Sequence, residues 1–107
     1  MHNESHQQPV EHSRKAEIVR ETAKIPWREL QKFFASGATV YVSPELDLVE
    51  VACQISLDNK PLIENLMAER KLAPVSDQQA IEWLDADITV WSVVIKPWVL
   101  VQPGKPE

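Results

Sequence analysis

The most constraining feature of the sequence is a long apolar segment near its C-terminal end, residues 88–102, ITVWSVVIKPWVLVQ. It is rich in β-branched and aromatic residues, which are enriched in β-strands. The apolar residues do not alternate regularly with polar ones, so the segment is apolar enough to be covered on both faces. The sequence therefore predicts a sheet that other elements of the chain must cover.

Lys96 and Pro97 interrupt this β segment. The interruption is compatible with a hairpin turn or with a kink in one long strand. Two-residue hairpin turns favour Gly or Asn at positive φ, and neither residue is present here. The sequence therefore favours a kink in one long C-terminal strand.

Two helices are predicted in the N-terminal third of the chain. Residues 1–10 are polar and are interpreted as a disordered tail. From Glu11 the apolar residues recur at helical spacing until Pro26, which ends or kinks the helix. A second helix is predicted from Trp27 to Gly37, because its apolar residues also recur at helical spacing and a proline suits a helix start.

The middle of the chain predicts a strand followed by a helical hairpin. Residues 39–42, TVYV, have strand character, which Ser43 and Pro44 end. The next run fits both a helical stripe and a strand alternation. We favour a helix, because the run is about twelve residues long and Ser43 and Pro44 are a credible N-cap and first position. After a break at residues 58–61, DNKP, a second apolar stripe predicts a helix to about Arg70.

A short extended segment and a short helix are predicted before the C-terminal β segment. Residues 72–75 include Pro74, which disfavours a helix at that point. Ser76 and Gln79 have the spacing of a capping box. They predict the start of a helix that carries three apolar residues, Ala80, Ile81 and Leu84.

Together these elements predict an α+β fold. We expect about five short helices on a small mixed sheet of about three strands, with a long C-terminal β segment. Residues 11–102 are predicted to form one domain, and residues 103–107 a second disordered tail.

The charge and cysteine content limit the partners and the location of the protein. The chain has 107 residues and a formal net charge of −5, and its basic residues form no block, so nucleic acid is not a predicted partner. No apolar stretch approaches the roughly 20 residues that span a bilayer, and the N-terminus lacks the apolar segment of a secretory signal. Cys53 is the single cysteine, and its apolar neighbours indicate a buried, inert thiol. We therefore predict a cytoplasmic protein with no membrane partner.

Residue types that usually carry catalysis are scarce. The three histidines, His2, His6 and His12, fall in or beside the predicted tail, which leaves the predicted core without the commonest general base and zinc ligand. The two glycines, Gly37 and Gly104, are too few for a phosphate-binding loop. The sequence predicts no catalytic residue, no cofactor and no metal ligand, and an enzyme is the less favoured interpretation.

Two acidic clusters support an alternative function. Glu45, Asp47 and Glu50 form one cluster, and Asp85 and Asp87 form the other. Carboxylates are ligands for Mg²⁺ and Ca²⁺, so the alternative is a small-molecule or divalent-metal-binding protein, including a carboxylate-based enzyme. The first cluster also suits the N-terminal end of a helix dipole, and the second suits an ordinary helix-to-strand turn.

Four tryptophans in a small domain motivate the favoured hypothesis. Large rings usually supply buried area in the core, but Trp98 beside Pro97 and Trp27 beside a proline are candidates for an exposed apolar patch. The hypothesis is a non-catalytic protein-interaction or regulatory module that uses this patch. The acids predicted to rim the patch are Glu45, Asp47 and Glu50.

The predicted partner is an unknown protein or a second copy of the chain. The edge of a small sheet can pair with the edge of its own copy unless something blocks it. Pro97 is predicted to act as such a block.

Four segments resemble a known family: ETAKIPWRELQKFFASG at 21–37, VSPELDLVEVA at 42–52, PVSDQQAIEWL at 74–84 and WSVVIKPWVLVQP at 91–103. Together they resemble a small family of uncharacterised bacterial proteins that is classed as a domain of unknown function. The resemblance spans residues 18–102, and the PWVLVQ ending is its most specific part. It implies a bacterial, cytoplasmic, stand-alone domain, and it transfers no activity, substrate or catalytic residue.

Overall fold

The computed structural model describes residues 8–104, with side chains described from residue 13 onward. Within this range the chain forms five α-helices, a short 3-10 turn and a mixed sheet of five strands. The elements in chain order are α1 (Gln8–Glu21), β1 (Ala23–Pro26), the 3-10 turn (Trp27–Leu30), α2 (Gln31–Ala35), β2 (Thr39–Val42), α3 (Leu48–Ser56), α4 (Lys60–Ala68), β3 (Leu72–Pro74), α5 (Asp77–Asp85), β4 (Thr89–Ile95) and β5 (Trp98–Pro103). The α+β class is confirmed, whereas the prediction of about three strands was too low.

The strands lie in the order β1-β4-β5-β2-β3. β2 and β5 run parallel, and the other neighbours are antiparallel. β5 lies in the middle of the sheet and is buried from Val99 to Gln102. The apolar segment that dominates the sequence therefore supplies the centre of the sheet.

Helices cover both faces of the sheet, and each face has its own core. On the first, which we call the α1 face, α1, α3 and α4 pack over Val42, Val93 and Leu100. On the second, the α5 face, the 3-10 turn, α2 and α5 pack over Val90 and Val99. Successive residues of a strand point to opposite faces, so Val99 and Leu100 lie in different cores.

The predicted single kinked strand at the C-terminal end is wrong, because the segment folds as a hairpin. β4 and β5 pair antiparallel, with Ile95 opposite Trp98. The Lys96–Pro97 peptide bond between them is cis. Neither Lys96 nor Pro97 has a positive φ, so this turn reverses the chain without the Gly or Asn that the commoner two-residue hairpins need.

The predicted first helix is also too long at its C-terminal end. α1 ends at Glu21, and the residues expected to continue it form β1. Ile25 of β1 lies opposite Val90 of β4 and packs against the core of the α5 face. Pairing with a strand far along the chain decides this conformation, and local helical spacing does not contain that information.

The predicted limits of the domain, residues 11 and 102, fall inside α1 and β5. α1 begins at Gln8 and β5 ends at Pro103, both of which were assigned to tails. The remaining residues of the predicted tails, 1–7 and 105–107, lie outside the described residues.

The predicted helical hairpin of α3 and α4 is confirmed, but the N-cap of α3 was misplaced. The Asp47 side chain accepts a hydrogen bond from the backbone N–H of Glu50 at 3.1 Å, so Asp47 is the cap. Ser43 and Pro44 lie in the turn before it. The side chain of Asn59 caps α4.

The shorter elements agree with the local sequence signals. Strand β2 lies where it was predicted, β3 lies within the segment predicted to be extended, and α5 begins with the predicted capping box of Ser76 and Gln79. The two hydrogen bonds of that box are both 3.0 Å long. Over the part of the chain that the structure describes, no helix is long and apolar enough to cross a membrane.

Each edge strand carries a proline whose backbone nitrogen is on the unpaired side of the strand. The backbone N–H of Trp27 donates to the carbonyl oxygen of Ile88, just before β4. Because backbone groups alternate along a strand, the nitrogen of Pro26 in β1 then faces outward from the edge. Val75 donates its N–H toward β2, so Pro74 of β3 also points outward. Pro97, predicted to block an edge, lies in the β4–β5 turn instead. A proline has no N–H to donate, so each edge lacks a donor that a further strand would need.

Candidate functional site

A groove of about 590 Å³ is open on the α1 face, at the end of the sheet where the β4–β5 turn lies. Its floor includes Val40, Leu72 and Leu100, from β2, β3 and β5. The alternation of the strands sends these apolar side chains to the α1 face. Trp98, at the start of β5, lies at the same end, and we call this site the Trp98 groove.

Apolar residues of α3 and α4 line the walls of the Trp98 groove. They are Ile55 of α3 with Ile63 and Met67 of α4. Ile63 and Met67 are four residues apart, so they lie on one face of their helix. Met67 is 50% exposed and Trp98 is 43% exposed, which leaves apolar surface in contact with water around the groove.

Three charged residues also line the groove: Arg14 of α1, Asp58 after α3 and Lys96 in the β4–β5 turn. Asp58 has a positive φ of 59°, in the sharp connection between α3 and α4. Within residues 13–104, neither Arg14 nor Lys96 takes part in an ion pair. The rim of the groove therefore has a net positive charge on a chain that is acidic as a whole.

The two tryptophans proposed for one patch lie in different environments. Trp98 is exposed at the groove, directly after Pro97 in the turn. Trp27 is fully buried, donates its indole N–H to the carbonyl oxygen of Ala80 at 3.1 Å and packs edge-to-face with Trp83. Trp27 is thus a core residue of the α5 face and contributes nothing to a surface patch.

The acids predicted to rim the patch lie elsewhere. Gln102 lies at the opposite end of β5 from Trp98, and its side-chain amide donates a hydrogen bond to the carbonyl oxygen of Leu46 at 2.8 Å. This bond holds the segment before α3 at that end of the sheet. Gln102 is four residue steps along the strand from Trp98, a distance of roughly 13 Å at about 3.3 Å per step. Glu45 and Asp47 flank Leu46 and lie at that end too.

Each of these acids has a structural partner. Glu45 forms an ion pair with Lys71 at 2.9 Å, which raises the pKa of Lys71. Glu50 accepts hydrogen bonds from Gln54 at 2.9 Å and from Lys15 at 3.2 Å. These bonds hold the pKa of Glu50 below its ordinary value.

The structure does not bring the two acidic clusters together. Asp47 caps α3 on the α1 face, whereas Asp85 ends α5 on the opposite face. Asp87 pairs with Arg28 at 2.6 Å. Among the residues that the structure describes, no group of three or more His, Cys, Asp or Glu side chains is placed to hold a metal ion. The geometry expected for a carboxylate site is therefore absent from this part of the chain.

A second apolar surface lies on α5, which we call the α5 patch. Ile81 is 60% exposed and Leu84 is 46% exposed, so neither contributes much to covering the sheet. Ala80 and Trp83 take that role instead. The acids on or beside the same helix are Asp77, Glu82 and Asp85.

Trp91 is a second exposed tryptophan, but it does not line the Trp98 groove. It lies on β4, is 39% exposed and points to the α1 face. The ammonium group of Lys24 lies 5.3 Å from the centre of its ring. Trp91 lines a separate, more polar cleft with Asp47, about 570 Å³ in volume.

Of the residues that line the groove, only Trp98 belongs to the patch predicted from the sequence. Arg14, Met67 and Lys96 come from three distant segments and belong to no local motif. One signal for the α5 patch was present: Ala80, Ile81, Trp83 and Leu84 span more of the helix circumference than a single buried stripe needs.

Comparisons with known proteins agree with this architecture. A family model described as "Protein of unknown function (DUF2288)" matches residues 13–103. The NMR solution structure of PA1075 from Pseudomonas aeruginosa is similar, with a TM-score of 0.74 and 35% sequence identity. The match covers 96% of this chain and 93% of that chain. No curated protein gives a significant match.

Proposed function

The chain belongs to the DUF2288 family of proteins of unknown function, and from its geometry we propose that it is a non-catalytic protein-interaction module. In this proposal the Trp98 groove receives the apolar face of a helix from a protein partner. The observation that carries it is the exposure of Trp98 and Met67 around a concave apolar groove.

The composition of the groove supports a protein partner. Tryptophan and methionine are enriched in protein interfaces, and tryptophan is over-represented among residues that dominate binding energy. Covering Trp98, Met67 and the floor residues removes apolar area from water, which favours association by about 25 cal/mol per Å² before the costs of binding.

The edges of the sheet support a helix rather than a strand as the occupant. Pro74 of β3 lines the groove, and its backbone nitrogen is on the unpaired side of this edge strand. A strand added at that edge would therefore miss a backbone donor. A helix satisfies its own backbone groups and needs only an apolar surface to cover.

The proposal places the module in a bacterial cytoplasm. Cys53 is a single buried cysteine, as expected in a reducing compartment, and the similar solved structure is from a bacterium. The acidic net charge supports protein rather than nucleic acid as the partner.

The test is photo-crosslinking in the native host with p-benzoylphenylalanine in place of Trp98. The matched control carries the same group in place of Trp91, which is exposed to a similar degree on the same face of the sheet. We expect a discrete protein product from position 98 that is absent from position 91. Adding Met67→Asp on the groove wall should reduce its yield several-fold, because a carboxylate would be buried in the interface.

Two results would contradict the proposal. One is a set of products that is the same from both positions, which would indicate non-specific collision. The other is no product from position 98 in a variant that circular dichroism shows to be folded.

A further inference from the structure

We infer that the helix received by the Trp98 groove is α5 of a second copy of this chain. The inference rests on the proposed function, since it names the partner of the same groove. It assigns a role to the α5 patch, which the fold itself leaves uncovered.

The apolar surfaces of the two sites are complementary in kind. Ile81 and Leu84 are three residues apart and therefore neighbours on the helix surface. They are among the more exposed large apolar residues of the described chain, at 60% and 46%. The Trp98 groove offers a concave apolar floor and walls on which such a convex pair can pack.

The charges around the two sites are opposite in sign. The groove has Arg14 and Lys96 without ion-pair partners among the described residues, and Asp58 offsets only one of them. Around the α5 patch the charged residues on the helix are all acidic: Asp77, Glu82 and Asp85. Docking α5 in the groove brings these acids toward the two cations, which favours this pairing over an encounter of like surfaces.

The two sites lie on opposite faces of the sheet, and this sets the geometry of assembly. The groove is on the α1 face and the patch is on the α5 face, so one molecule can use both at once. Such a contact is head-to-tail, with a different surface on each partner. It continues to a third copy unless the rotation closes a ring. Because both edge strands carry an outward proline, association through faces is also favoured over association through edges.

The first experiment is sedimentation velocity of the full chain over a range of concentrations. We expect the weight-average mass to rise with concentration past twice the 12.2 kDa mass of one copy. One variant, Ile81→Asp with Leu84→Asp, removes the patch, and a second, Met67→Asp with Trp98→Ala, removes the groove. All four residues are exposed, so both variants should fold, and each alone should stay monomeric.

Mixing the two variants separates a head-to-tail contact from any symmetric one. The patch variant keeps an intact groove, and the groove variant keeps an intact patch, so one productive contact remains in the mixture. We expect the mixture to form a dimer and to stop there. A mixture that stays monomeric, or single variants that associate as the unaltered chain does, would overturn the inference.

A charge exchange tests the electrostatic part of the pairing. Arg14→Glu with Lys96→Glu should weaken association at least several-fold, and so should Glu82→Lys with Asp85→Lys. Combining all four changes in one chain should restore association toward the original level, because the signs are then exchanged on both surfaces. Failure of the combined variant to recover would contradict the assigned contact.

Failure of this inference is distinguishable from failure of the proposed function. With p-benzoylphenylalanine in place of Trp98, the inference expects a product of two copies joined through α5. A monomeric chain that crosslinks to a different protein from position 98 would overturn self-association and leave the groove as the interaction site. A monomeric chain with no crosslink from that position would overturn both.

Discussion

At the scale of single residues, Glu50 shows how a surface acid is held in place. Gln54 and Lys15 donate hydrogen bonds to its two carboxylate oxygens. Both bonds stabilise the charged form, and the bond from Gln54 makes the larger contribution to the lowered pKa. The unfolded chain has an ordinary Glu pKa of about 4.3. The stability from this network is therefore present above that pH and is lost as the pH falls through the lower pKa of the folded state.

This linkage gives a prediction for Gln54→Ala. The pKa of Glu50 should rise toward its ordinary value, because the largest stabilising bond to the carboxylate is gone. The measurement is a pH titration of the Glu50 side-chain carboxyl carbon by NMR. The matched control is Gln78→Ala, which removes the equivalent Gln78–Glu82 bond on α5 and should leave Glu50 unchanged. An unchanged Glu50 in Gln54→Ala would contradict the assigned cause.

Residue type and neighbouring sequence do not determine whether the two tryptophans next to prolines are buried. Trp27 and Trp98 have similar local surroundings in the sequence, yet one is fully buried and the other is 43% exposed. The difference depends on what packs above each ring. α5 and α2 cover Trp27, with Trp83 and Phe34 packed edge-to-face with it, whereas the gap between helices on the α1 face leaves Trp98 open. Only tertiary structure contains that distinction.

At the scale of elements, the N-cap of α3 gives a direct test. Asp47→Ala removes the acceptor for the Glu50 backbone N–H, and N-cap losses of this kind cost about 1 kcal/mol, with a range of about 0.5–2 kcal/mol. Ser43→Ala, at the position that the sequence favoured, should cost less, because Ser43 lies outside the helix. Urea unfolding of the two variants measures both values. A larger loss for Ser43→Ala would contradict the cap assignment.

The elements that were predicted correctly carry their signals locally. α4 and α5 begin at polar caps and contain apolar stripes, and β2 is a short β-branched run. The elements that were missed depend on distant partners. β1 is a strand because β4 pairs with it, and the β4–β5 turn closes because Ile95 and Trp98 pair across it. The Trp98 groove depends on four strands and three helices together, so the sequence indicated only one of its residues.

At the scale of the whole molecule, the arrangement of the sheet predicts where it is most resistant to opening. β5 is paired on both sides and buried on both faces, with Leu100 and Val101 fully buried. Its amide protons should therefore exchange with deuterium most slowly, since their exposure requires global unfolding. In contrast, the N–H of Lys24 on β1 faces outward from the edge and should exchange fast. NMR-detected exchange measures both. A β1 strand protected as strongly as β5 would contradict this order.

The two-faced core also separates the two interaction surfaces. The groove and the α5 patch have different cores beneath them, and the strands β2, β4 and β5 contribute side chains to both cores. Exposed substitutions at one surface are therefore expected to leave the other intact, which is the condition that the mixing experiment needs.

The outward prolines of the edge strands have a consequence for protein engineering. A designer who wishes to extend this sheet with an added strand finds one backbone donor missing at each edge, at Pro26 of β1 or at Pro74 of β3. Replacing one proline with a β-branched residue would supply the missing donor at that end alone. The altered edge would then accept an added strand more readily than the other edge, which still lacks one donor.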